Sequence, residues 1–178
     1  MTTAERLIEA LKTKKHNERQ YTLDFVPSAS TRPFRATISA DGVNVRAQLE
    51  DLGEYGVLLR SIRISAPLAS NDADVRERQS ELVRRFAGFE TPHGALIEWE
   101  VDAAASHAVL RTGLVTTGDG NRSFFELGIF QGCDVELTHH SIVQTTRVGR
   151  RTDVNLAMEQ FQRLLDDLVN ATSAQVAD

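Results

Sequence analysis

Cys133, Asp134, His139 and His140 stand within eight residues of one another, and thiol, carboxylate and imidazole are the groups of nucleophilic and metal chemistry. Strand geometry separates them. Cys133 and His139 are six positions apart, roughly 20 Å along an extended chain, which is beyond reach for a thiolate–imidazole pair. His139 and His140 are neighbours, so on a strand they point to opposite faces and cannot chelate one ion together. A metal would need ligands from other strands, His107 for instance. The reading that fits is a small buried thiol with one inward and one outward histidine. No metal or cofactor is expected.

A second cluster is basic. Arg147, Arg150 and Arg151, with Gly149 between them, run into the last apolar segment of the chain. Arginines beside a helix N-terminus, with its free N–H groups, suit a small anion. The glycine spacing and lysine-hydroxyl pair of a P-loop are missing, and Asp153 is placed to cap the helix with its own carboxylate. A solvated connector is the plainer reading. Arg147, Arg150, Arg151, His139 and His140 are therefore the residues of any ligand site. Glu98 and Glu100, two residues apart on a strand, are expected to share a face, but alternating acids on an exposed sheet face are common and no third group completes an acid–base set. Arg60 and Arg63 differ in parity and emerge on opposite faces, where pairing with Glu98 or Glu100 would neutralise them. Trp99, Phe124, Phe125 and Phe130 read as core.

The elements that would hold these groups are legible from periodicity. Val154, Met158, Phe161, Leu165 and Leu168 follow helical steps, and the spacing predicts an amphipathic helix from Asp153 to about Ala171. Burying that stripe contributes up to about 8–15 kcal/mol. Ala4, Leu7, Ile8 and Leu11 predict an N-terminal helix over 3–15, capped at Thr2 or Thr3. A central helix is expected from Asp72 to Phe86, capped by Asn71 and stopped at Gly88.

Strands account for most of the rest. Tyr21 to Val26 alternates, and Pro27 to Pro33 is a loop. Asp41-Gly42 is a two-residue hairpin turn, setting Ile38 against Val45, Ala36 against Ala47 and Phe34 against Leu49. Further strands are expected at 57–65, 95–101 (half-buried), 108–115, 123–131 and 134–143. The whole is an α+β protein: a mainly antiparallel arrangement of about eight strands with N-terminal, central and C-terminal helices, within one globular domain over 1–178. Matching turns, Asp41-Gly42 with Asp119-Gly120, admit an internal duplication of a four-strand-plus-helix unit over about 20–90 and 91–172.

With 25 acidic against 20 basic residues and a net charge of −5, the chain is a poor general nucleic-acid binder. The imbalance lies in residues 91–178, which carry 6 Lys and Arg against 12 Asp and Glu. The single cysteine and the absence of an apolar leader or membrane-length run point to a cytoplasmic protein. In size, charge and element order, though in no motif, the chain is similar to the small acidic chaperones of bacterial secretion systems. The expected function is a non-enzymatic protein-binding or adaptor domain, chaperone-like in kind, whose partner is another protein or a second copy in a homodimer. The alternative is a ligand-binding protein or enzyme with a pocket for a small anion between the sheet and the last helix.

Overall fold

Gly42 takes φ +77°, a conformation open to glycine without steric cost, and the hairpin it closes has the register that alternation predicts. In the computed structural model, which describes residues 1–22, 34–40, 42–67, 72–102, 104–118, 120–131, 134–143, 145 and 147–173, strand β1 (Phe34–Ala40) pairs antiparallel with β2 (Val43–Leu52). Ile38 faces Val45, Ala36 faces Ala47 and Phe34 faces Leu49. Val45, Ala47 and Leu49 are fully buried, whereas Arg35, Thr37, Asn44 and Arg46 are exposed.

The meander continues into β3 (Gly56–Ser65) and helix α2 (Asp72–Phe86), which Gly88 ends at φ +82°. A small separate hairpin follows, β4 (Glu90–Thr91) with β5 (Gly94–Ala95). Then come β6 (Ile97–Asp102), β7 (His107–Arg111), β8 (Val115–Thr116), β9 (Arg122–Phe130), β10 (Asp134–Ile142), β11 (Gly149–Arg151), β12 (Val154–Ala157) and helix α3 (Met158–Ser173). The architecture is α+β. One antiparallel sheet of ten strands has the order β1-β2-β3-β10-β9-β7-β6, with β8, β11 and β12 pairing alongside. The proposed duplication finds no support: three described strands precede α2, and nine lie between α2 and α3.

Helix α1 (Thr3–Thr22) opens the chain. It begins in a reciprocal capping box, in which Glu5 N–H donates to Thr2 Oγ1 (3.2 Å) and Thr2 N–H to Glu5 Oε2 (2.7 Å). It runs longer than the apolar stripe predicts, because Lys12 to Gln20 are mostly good helix formers. Tyr21 and Thr22 are therefore helical rather than the start of a strand. The rest of that expected strand, the Pro27–Pro33 loop, the Asn71 cap and Cys133 lie outside the described residues.

All three helices cover one face of the sheet. Helix α1 lies on β1 and β2, α3 on β3 and β2, and α2 on β7 and β9. Leu7, Leu82, Phe86, Phe161, Leu165 and Leu168 join Val45, Ile62, Leu127 and Leu137 in one apolar cluster. Asp166 of α3 ties the helices together by accepting from Ala4 N–H at 3.0 Å. No helix among the described residues is long and apolar enough to cross a membrane.

The predicted start of α3 is corrected. Residues 154–157 form β12 because of a fork in the sheet. Strand β10 follows β3 only from Asp134–Ser65 to Thr138–Ser61 and then diverges. The backbone groups it leaves unpaired on β3 need partners, and β12 supplies them, Ala157 against Gly56 to Val154 against Leu59. Strand β11 does the same for β10, from His140–Arg151 to Ile142–Gly149. The approach at Gly56 is so close that a Cβ there would sit 2.8 Å from Leu156 O. Asp153 lies between β11 and β12 and does not cap a helix. It accepts from Arg60 Nε at 3.0 Å, while Arg60 Nη2 approaches Glu50 at 2.6 Å. Arg63 pairs with Asp134 across β3 and β10. Glu98 and Glu100 stand on β6, which β10, β9 and β7 separate from the β3 strand of both arginines.

Gln79 is an anomaly within α2. It is buried, and neither its amide nitrogen nor its amide oxygen has a partner. An unsatisfied buried amide costs about 1–3 kcal/mol. Gln79→Leu is expected to raise stability by about 1 kcal/mol, and the melting temperature by about 2–4 °C. An unchanged or lower melting temperature would mean that the amide is satisfied in solution.

Candidate functional site

The five residues predicted for a ligand site are split by the sheet. His139 faces the helices and is only 7% exposed, and its cross-strand partner is the core residue Phe125. Its Nδ1 lies 2.9 Å from Thr152 Oγ1, and its carbonyl accepts from Thr152 N–H at 2.9 Å. Its Nε2 is buried without a partner. His93, from the β4–β5 turn, meets it edge to face at 5.1 Å and also has an unpartnered buried Nδ1. Burial, reinforced by the nearby His93, pushes the His139 imidazole down to about 4. Burial also lowers His93.

A histidine beside a threonine hydroxyl has the outline of a base and nucleophile. The imidazole here is enclosed among Phe125, His93 and the fork strands, so the pair reads as a structural hydrogen bond.

His140 emerges on the opposite, helix-free face. It stacks on Phe124 with rings 5.2 Å apart and 13° from parallel, and its Nε2 lies 2.9 Å from Thr138 Oγ1. Burial lowers its pKa, against the opposing pull of Glu126. Arg151, opposite it on β11, is tied to Glu136 at 2.7 Å. Arg147, at φ +54° in the preceding turn, and Arg150 are exposed. A cleft of about 160 Å³ at α3 is lined by Glu90, Gln160, Arg163 and Asp167 among others, with Arg163 3.6 Å from Asp167. It contains none of the five residues. Among the described residues, no three His, Cys, Asp or Glu side chains converge as metal ligands do.

The more conspicuous feature is at the far edge. Strand β6 is outermost in the sheet, and all six of its residues are exposed rather than half-buried as alternation predicts. Ile97 is 57% exposed, Trp99 61% and Val101 45%. Two causes are visible. The principal contacts of the helices end at β7, so among the described residues no helix packs closely over the inner side of β6. An irregularity at Trp99 also shifts the register. Glu98 sits opposite Leu110 but Glu100 opposite Val109, so the two carboxylates lie on opposite faces.

Around that bulge the open face carries a short row of stacked groups. The Arg111 guanidinium lies 4.9 Å from the Trp99 ring centre and 5.2 Å from that of Phe124, and its Nε donates to Glu126 at 2.7 Å. Phe124 in turn carries His140. Phe125 is core as expected and Phe124 is buried beneath its neighbours, whereas Trp99 and Phe130 are exposed. Sequence reasoning missed this patch because period-2 alternation signals burial only where a layer is present to do the burying. No protein-family model, curated protein or solved structure matches the chain.

Proposed function

We propose that this chain is a non-enzymatic protein-binding domain, adaptor- or chaperone-like in kind, that receives an extended segment of a protein partner along the free edge of β6. The observation that carries the reading is the exposure of Ile97, Trp99 and Val101 on an outermost strand. An outer strand presents unpaired N–H and C=O groups, a template for one more strand. Tryptophan and arginine are the residue types richest in binding hot spots, and here Arg111 braces Trp99 from beneath.

The other outer strand, β1, is a weaker candidate. Helix α1 packs beside it, and Arg6 Nη2 already donates to Ser39 O at 3.2 Å. A small anion bound by Arg147, Arg150, Arg151, His139 and His140 has less support. Those side chains are divided between two faces, and the cleft at α3 has two carboxylates against one guanidinium.

Selection from a displayed library of random ten-residue segments tests the proposal. Binders are expected to lose about thirtyfold in affinity on Trp99→Ala, the cost of one hot spot. The stability of the variant should change by less than about 1 kcal/mol, because the ring is exposed. Affinities unmoved by Trp99→Ala would place the partner elsewhere.

A further inference from the structure

Resting on that reading of the β6 edge, we infer that the segment it accepts is one in which basic residues are interleaved with apolar ones over about five positions, and not a second copy of this chain. The sequence of β6 is Ile-Glu-Trp-Glu-Val-Asp. A strand laid beside it sets side chains against Ile97 and Glu98 before the bulge at Trp99 and against Glu100, Val101 and Asp102 after it. Apolar residues would meet Ile97 and Val101, and cations would meet Glu98, Glu100 and Asp102, so the order that fits is basic-apolar-basic-basic-apolar. The three carboxylates are exposed. Arg111 on the neighbouring strand is already engaged by Glu126.

The same arrangement argues against self-pairing. Strand β6 has no lysine or arginine, so no register of two copies creates an opposite-charge pair. Whatever the register, the seam between two copies would gather three carboxylates from each. Like charges directly opposite are destabilising, and acidic residues with a bulge on an outer strand are a known guard against uncontrolled edge-to-edge association. The edge is closed to itself and open to a basic strand.

Three synthetic peptides distinguish the outcomes, built on the pattern X-Val-X-X-Val with lysine, threonine or glutamate at X. The readouts are the fluorescence of Trp99, which is the only tryptophan, and amide exchange along β6. The lysine peptide is expected to bind about tenfold more tightly than the threonine peptide at low salt, and the preference should fade as salt rises. The triple variant Glu98→Gln, Glu100→Gln, Asp102→Asn removes the preference. A control that neutralises Glu9, Glu77 and Glu159, exposed acids elsewhere, keeps it. Equal binding of the three peptides, or a preference untouched by the triple variant, overturns the inference while leaving the edge reading intact. Dimers that protect β6 in the free protein also overturn it. Failure of every peptide to move Trp99 or protect β6 overturns the edge reading itself.

Discussion

Phe161→Ala lowers the unfolding free energy by about 3–5 kcal/mol. The ring is fully buried one turn into α3 and joins the cluster formed with the inner sides of β2, β3 and β9. Its loss removes a large apolar surface and leaves a cavity that neighbours on a sheet cannot readily close. Against a total of about 5–15 kcal/mol for a domain, that is a large share. Urea titration measures it as a lower midpoint at unchanged slope. Phe130→Ala, at a ring partly in solvent, is the comparison, with an expected loss of about 1 kcal/mol or less. Similar losses at the two positions would contradict the assignment of α3 as the cover of the sheet.

The second large effect is acid lability. The folded protein holds His139 down at about 4, chiefly by burial, against about 6.5 in an unfolded chain. The unfolded state therefore binds the proton more readily, and stability falls as pH drops through the window from about 6.5 to about 4. Two and a half units correspond to about 3 kcal/mol lost by the acid end. His93 and His140, also lowered by burial, act in the same direction. Urea midpoints between pH 7.5 and 4.5 measure the effect. His139→Gln, which keeps a hydrogen-bonding group near Thr152, should flatten much of the slope. Equal slopes in the two proteins would show that His139 is not the sensitive group.

What could be read from the chain beforehand follows local physics. The β1–β2 hairpin was legible to the residue pair because the turn and the alternation specify the same register. The buried stripe of α3 was legible from Phe161 to Val169, but its first turn was not. Val154 and Leu156 fit a helical stripe as well as they fit a strand, and only the divergence of β10 from β3 decides for β12. The contact of His93 with His139 joins residues 46 positions apart in sequence and leaves no local trace. In β6 the alternation is real, yet a bulge and the reach of α2 determine what it means.

These particulars meet at one place. The sheet is covered on one face, with α1 packed against β1, and it ends at β6 with apolar and acidic side chains in solvent. Residue-resolved amide exchange of the full chain, alone and with the lysine–valine peptide, tests this most directly. The account predicts rapid exchange at the outward amides of β6 in the free protein, strong protection there with peptide, and no change along β1. Protection on β1 instead, or β6 amides already protected in the free protein, would contradict it.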